Sequence, residues 1–350
     1  MPTEPTEEKP EFGLPKIPIW SLLISFVIII GVSALAFARF GDFGRFLETA
    51  KRAEPWWLLA AVGFQALTYV SSGEVWNVAV RGAGYPLRSR ILARLAIERL
   101  TVDQFMPTAG VAGHVGTLQA MRRFGVPTPI AMEALFVDLL SHYAAYVTAA
   151  AVAFSVLATH QDVTPIVLLS LGAFAAISAV VVVSTVLFLR NHNWIHRLPS
   201  WLANRKLVGR LTRSVAQVNA KRILSWGVFL EATLFQSAIF FLDGATLWAT
   251  LRAVGVHASI LVTFSAYIIA MIAGTVLFIP GGIGVFEVGA VTTLVGFGIP
   301  FEGAFAATLL LRGLTLWIPL IPGSILAHQD LGVRFSGSGK KSEESIESGS

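Results

Sequence analysis

The sequence predicts an all-α polytopic membrane protein, with about six full transmembrane helices and two re-entrant helical hairpins arranged as an inverted repeat. Three observations carry that prediction. Hydrophobic residues make up 55% of the chain and charged residues only 13%, where a soluble domain carries about 25% charged. The deficit falls in apolar runs of about 20 residues or more, long enough for a helix to cross a hydrocarbon core of about 30 Å. Two further apolar runs are interrupted by proline and glycine, and the interruptions share one spacing. A β-barrel is excluded, because its strands would alternate polar and apolar residues over short segments.

Residues 1–16 are proline-rich and acidic, and residues 331–350 are rich in serine, glycine and charge. Both compositions predict disordered tails around one transmembrane domain spanning 17–330. Unbroken apolar runs predict helices at 17–38, 56–80, 129–158, 165–189, 223–251 and 305–328. The first run ends in Ala36-Phe37-Ala38. That pattern resembles a signal-peptidase site, but the run is long for a signal core and favours an uncleaved helix. Residues 87–124 and 259–297 are less regular, each with a Pro/Gly break in its middle.

The basic residues orient the chain. Eight Lys/Arg and no acid lie between Arg190 and Arg222, which places this loop in the cytoplasm. Arg81, Arg88, Arg90, Arg94, Arg122 and Arg123 put the ends of the first irregular segment on the same side. Segments 160–164 and 299–302 carry no Lys or Arg and fall outside, whereas loop 39–54, with four basic and three acidic residues, runs against the pattern. The expectation is a multi-pass protein of the cell membrane, inner or plasma, with both termini cytoplasmic. The net charge of +5 and pI near 9.7 follow from these loops, so nucleic acid is not an expected partner. The chain has no cysteine, which removes disulfides, thiolate metal sites and cysteine nucleophiles. It has no HExxH, no G-x-S-x-G, no Asp-rich diphosphate motif and no Walker loop. No cofactor, metal or enzymatic activity is expected.

Laying 105–134 over 278–307 without gaps matches nine of thirty positions, including Phe105/Phe278, Pro107/Pro280, Gly116/Gly289, Gly125/Gly298 and Pro127/Pro300. Self-similarity at a fixed offset, here 173, marks a structural repeat. The polar centres coincide as well, His114 on Glu287. Helix 56–80 maps onto about 229–253, and the loop charges send these two in from opposite faces, giving inverted copies over about 55–158 and 226–330.

Each break has a physical reading. Non-helical backbone at membrane depth persists only where protein or a water-filled cavity satisfies its polar groups. Pro280 ends one helix, and Gly281, Gly282 and Gly284 permit a tight turn into a short second helix; Pro107 and Gly110 do the same in the first copy. Two re-entrant hairpins result, each presenting at its tip a half-helix N-terminus suited to a phosphate or other anion. Buried side chains or water could satisfy the same N–H groups.

Ionisable residues inside a membrane are costly and therefore functional candidates. Arg94/Glu98 and Arg99/Asp103 are spaced i,i+4 and read as structural ion pairs within the first hairpin. Asp138 and His142 share a helix face, with Glu133 earlier on the same helix; they form either an Asp–His hydrogen bond or part of a polar pathway. Glu74 is expected to pair with Arg81, and Asp243 stands deep in its helix. Glu287 and Arg312 are the strongest pair, either bonded to each other or gripping an anionic ligand.

At these residues the chain resembles the lysylphosphatidylglycerol synthase/flippase transmembrane family, the membrane part of bacterial multiple-peptide-resistance proteins. The resemblance lies in "FIPGGIGVFE", "GFGIP" and the arginine of "TLLLRG", and more loosely in "EALFVD" and the segment 107–116. It implies a flippase-like domain that moves lipids with charged or phosphate headgroups between leaflets. It assigns the second-half motif to Pro280, Gly281, Gly282, Gly284, Glu287 and Arg312, and the first to Glu133 and Asp138. Only a short tail follows residue 330, so the aminoacyl-transferring domain of two-domain members is not expected, and a separate enzyme would make the lipid. Two alternatives stand beside lipid transport: a secondary transporter of a small anion, and a non-catalytic membrane subunit of a lipid-modifying complex.

Overall fold

The computed structural model describes residues 53–105, 111–160, 165–191, 217–276 and 284–331. A first run comprises α1 (Pro55–Gly82), α2 (Ser89–Phe105), α3 (Val111–Arg123) and α4 (Thr128–His160). α5 (Pro165–Arg190) and the single turn α6 (Ala220–Ile223) precede a second run of α7 (Trp226–Ala253), α8 (Ile260–Val276), α9 (Val285–Gly296) and α10 (Phe301–Arg312). α10 continues through a π-helical stretch, Gly313–Trp317, into α11 (Ile318–Leu331). No strand occurs among the described residues. The two tails, helix 17–38 and both break tips, with Pro107, Gly110, Pro280, Gly281 and Gly282, lie outside them.

The two runs share element order and length. α1 and α7 have 28 residues each, α2 and α8 have 17 each, and α3 and α9 have 13 and 12. Their turns share chemistry too. Gly84 and Gly255 take φ of 89° and 78° after α1 and α7, and Gly125 and Gly298 both take 83° after α3 and α9. That left-handed region is open to glycine without steric cost. In the latter pair, Val126 N–H donates to Met121 O and Ile299 N–H to Leu294 O, each at 3.1 Å, before Pro127 and Pro300 restart a helix.

One expectation is corrected. The gapless offset of 173 does not extend back to α1. Gln65/Gln236, Gly73/Gly244 and Gly84/Gly255 are 171 apart, so α1 corresponds to α7 from its first residue, Trp226, rather than to 229–253. The two extra residues of the second run are absorbed between Gly255 and Gly289.

α1 and α7 pack along one another and form the centre, with α4 against both. α2 packs on α3 and α8 on α9; α11 leans on α2, and α4 on α8. Glycines set the close approaches. A Cβ on Gly73 would stand 2.8 Å from the Leu92 carbonyl carbon, one on Gly244 would meet Phe264, and one on Gly289 would lie 3.1 Å from Ala270 Cα. Small residues that bring backbones together are the usual packing device between membrane helices.

Burial is inverted relative to a soluble bundle. Leu67, Leu169, Val183, Leu187, Leu234 and Ile321 are exposed, while Gln65, Asn77, Asp138, Gln236 and Thr246 are buried. Among the described residues, four helices are long and apolar enough to cross a membrane: Thr128–Thr159, Leu168–Arg190, Trp226–Ala253 and Phe301–Gly323. α1 is as long as α7 but more polar, because it carries Gln65, Thr68, Glu74 and Asn77. Gln65, Thr68 and Asn77 turn inward, and Leu59, Val62 and Val70 cover its outer face.

Replacing Gly73 by leucine forces α1 away from the α2 backbone, and overpacking of this kind costs about 1–3 kcal/mol. The expected outcome is a lower thermal midpoint of the detergent-purified protein, while Gly63→Leu, where a Cβ meets nothing, leaves it unchanged.

Candidate functional site

Three polar clusters occupy the interior. In the first, Arg99 of α2 donates to Asp138 Oδ2 of α4 at 2.5 Å and to His114 Nε2 of α3 at 3.1 Å. Arginine has no acceptor, so His114 Nε2 accepts here and the ring carries its proton on Nδ1. The expected partner, Asp103, is further away at 3.7 Å. Its carboxylate is held instead by the Gly113 N–H at 2.9 Å, and a Cβ on Gly113 would collide with that carboxylate. Gln236 of α7 donates to the other Asp138 oxygen at 2.7 Å, and the Trp76 ring of α1 faces the guanidinium at 5.5 Å. Five helices therefore meet on one ion pair.

The second cluster closes on Arg312, at the last position of α10 before the π-helical stretch. Its Nε donates to Glu287 Oε1 at 2.7 Å, and the guanidinium lies 4.3 Å from the Phe286 ring centre. Glu287 Oε2 accepts from the Gly284 N–H at 2.6 Å, the return half of a capping box that starts α9. Gly284 adopts φ 85°, ψ −48°, which explains a glycine at this cap. The side chains of Arg312 and Glu287 are 11% and 17% exposed. A single glutamate thus caps the short helix and neutralises the arginine.

The third cluster surrounds Asp243 of α7. Gln65 and Thr68 of α1 donate to Oδ1 at 2.8 and 3.2 Å, and Tyr267 of α8 donates to Oδ2 at 2.8 Å. Gln236 and Asp243 lie seven residues apart on α7, two turns along one face and about 10 Å in rise. Between them Phe240 stacks on Tyr146 and packs against His142, with ring centres 5.0 and 5.3 Å apart.

Several sequence assignments change. Asp138 bonds to Arg99 and Gln236, and His142 sits among Tyr143, Tyr146 and Phe240, so the Asp138–His142 hydrogen bond is replaced by a path through Gln236. Glu133 is drawn away to tie down α6, accepting from the Asn219 N–H and Arg222 at 2.9 Å each. Glu74 bonds Asn77 and Ser89, and Arg81, two turns further along α1, pairs with Glu231 of α7 at 2.5 Å. Arg94–Glu98 forms as expected at 3.0 Å. Gln65, Gln236, Trp76, Tyr267 and Phe286 were not anticipated. The equal spacing of the two glutamines within α1 and α7 was the available signal.

The sequence profile of the lysylphosphatidylglycerol synthase TM region matches residues 19–323. The chain belongs to that family. Comparison with curated proteins returns no match. As a member of this family built from long apolar helices, it is a multi-pass membrane protein. All three clusters fall within the matched residues, which places them inside the family's transmembrane unit.

Removing one member of a buried ion pair strands the other charge, at a cost of about 3–5 kcal/mol. Asp138→Asn should therefore destabilise the purified protein strongly. Arg99→Met combined with Asp138→Leu should recover most of the loss, as read by thermal unfolding in detergent.

Proposed function

We propose that this protein moves a lipid with a charged or phosphate-bearing headgroup between the leaflets of the cell membrane. The observation that carries the reading is the Arg312–Glu287 pair at the N-terminus of α9, just after the break that interrupts α8 and α9. α9 has 12 residues and rises only about 18 Å, less than a bilayer core. The reading treats α2/α3 and α8/α9 as re-entrant hairpins of an inverted repeat that enter from opposite faces, with both termini cytoplasmic. It fits the shared lengths and turns of the two runs.

In this mechanism a headgroup phosphate competes with Glu287 for Arg312. The planar guanidinium offers two parallel donors to a phosphate, whereas Glu287 engages it through Nε and retains its cap to the Gly284 N–H. Binding thus costs one ion pair and replaces it with a bidentate one. Rocking of the two halves around α1 and α7 would then expose the cluster to each side in turn.

An apolar cleft between α4, α5 and α8, lined by Ala153, Phe154, Leu157, Leu171, Ile269 and Ile272, favours a lipid over a small anion. It offers acyl chains a path beside the polar core. Thr275, one turn beyond Ile272 on α8, is hydrogen-bonded to Tyr146 at 3.2 Å, where the cleft meets that core. The chemistry assigned here is transport without bond making, and a separate lipid-synthesising enzyme would supply the substrate.

Proteoliposomes with fluorescent phosphatidylglycerol, phosphatidylethanolamine or a polyprenyl phosphate, assayed by dithionite accessibility, test the reading. Arg312→Ala is expected to lower the rate at least about tenfold, equivalent to about 1.4 kcal/mol. Arg312→Lys should recover only part of it, since lysine lacks the planar fork. Equal rates for protein-free, wild-type and Arg312→Ala vesicles with every headgroup would sink the proposal. Efflux of a small anion in place of lipid movement would replace it with the alternative.

A further inference from the structure

Asp243 is a carboxyl within a membrane-crossing helix, and no ion pair to it occurs among the described residues. The carboxylates of the other buried clusters face arginines: Asp138 and Asp103 face Arg99, Glu98 faces Arg94, Glu133 faces Arg222, and Glu287 faces Arg312. The Asp243 oxygens instead meet only neutral donors, the Gln65 amide and the Thr68 and Tyr267 hydroxyls. A carboxylate away from water and without a countercharge is costly even when hydrogen-bonded. The same group carrying a proton is neutral.

The cage accommodates both forms. Thr68 Oγ1 has one hydrogen and two acceptors within reach, Phe64 O at 3.1 Å and Asp243 Oδ1 at 3.2 Å. When its hydrogen points to Phe64 O, its lone pair receives a proton carried on Asp243 Oδ1. With the proton on Oδ1, the Tyr267 hydroxyl keeps donating to Oδ2. Tyr69 of α1, one residue after Thr68, carries a buried hydroxyl that has no hydrogen-bond partner. Two hydroxyls thus bond one carboxyl that lacks a cation.

The cage is also joined to the Arg312 cluster. Tyr267, bonded to Asp243, packs edge-on against Phe286 at 5.6 Å, and the opposite contact of Phe286 is the Arg312 guanidinium at 4.3 Å. We propose that Asp243 is a proton-binding site coupled to the Arg312–Glu287 site, so that uptake of one proton favours an anionic headgroup there. This rests on the lipid-transport reading for the identity of the ligand, but not for the proton site itself. The charge balance is direct. Asp243 and Glu287 ionised with Arg312 leave one net negative charge near an incoming phosphate; a proton from the aqueous phase forms an O–H bond on Asp243 and brings that sum to zero. The other groups facing the path are Tyr69 from α1, Tyr146 from α4, and Tyr267 itself on α8. Asp138 and His142 of α4 lie at the far end, beside Gln236. The binding of a single linked proton changes anion affinity by at most about tenfold per pH unit.

Two readouts on the full chain separate the claims. Infrared titration of the protein in nanodiscs, without added substrate, reports the C=O stretch of a protonated carboxyl. A titrating band lost in Asp243→Asn, with its midpoint displaced in Tyr267→Phe, is the expected result. The same titration in Asp243→Asn as in wild type, or no titrating band at all, overturns the proton site. In liposomes of phosphatidylethanolamine, transport of fluorescent phosphatidylglycerol should accelerate toward low pH, by up to about tenfold per unit, and Asp243→Asn should flatten that dependence. Transport that follows a sodium gradient and ignores pH overturns the coupling. A titrating Asp243 band in a protein that moves no lipid at any pH supports the proton site and defeats the lipid reading instead.

Discussion

A charge held among helices that face hydrocarbon must find its countercharge inside the protein, and this constraint organises the molecule. Arg99, largely buried, is met by Asp138 of α4 and His114 of α3, and Gln236 of α7 closes on Asp138 from the other side. Arg312 imposes the same demand on the second run and is met by Glu287 at the start of α9. These contacts are directional, whereas apolar packing between membrane helices gains little from exchanging lipid for protein. Glycines such as Gly73, Gly244 and Gly289 let the backbones approach closely enough for the short polar reach to close.

α7 acts as the spine of this arrangement. One face carries Gln236 to the Arg99–Asp138 pair, Phe240 to the His142–Tyr146 rings, and Asp243 to Gln65, Thr68 and Tyr267. The first two contacts join α7 to α4 and the third joins it to α1 and α8, and α1 lies along it. The first apolar core gathers around α1 to α4, and the second around α4 and α7 to α10. A relative movement of the two runs would have to slide along this polar face. The bonds crossing it are therefore those that such a movement would make and break.

The legible part of this protein was what local chemistry dictates. Apolar runs located α1, α4, α5 and α7, and Gly125-Val126-Pro127 and Gly298-Ile299-Pro300 marked equivalent turns. The pairing of Glu287 with Arg312 was expected from two charges set within apolar runs, while the capping box that Glu287 forms with Gly284 emerged from the structure. Glu74 was expected to pair with Arg81, and Glu133 was placed beside Asp138 and His142 on its own helix; the structure gives both further partners from outside those helices. Arg222 and Ser89 reached them from neighbouring elements, and Arg81 turned to Glu231 across the α1–α7 contact.

By itself the sequence determined that the chain crosses a membrane, that two of its apolar runs are broken by proline and glycine, and that a few charges are stranded within them. Hydropathy and backbone stereochemistry act over a few residues, so they can be read from order alone. The partners of Asp138, Glu133 and Asp243 were decided only by tertiary structure, because they lie on other helices, up to about 180 positions away along the chain. The same packing left Asp243 among neutral donors. An ion pair forms where helix rotation and depth bring two side chains within a few ångströms, and those are set by close contacts at glycines and by the length of a turn.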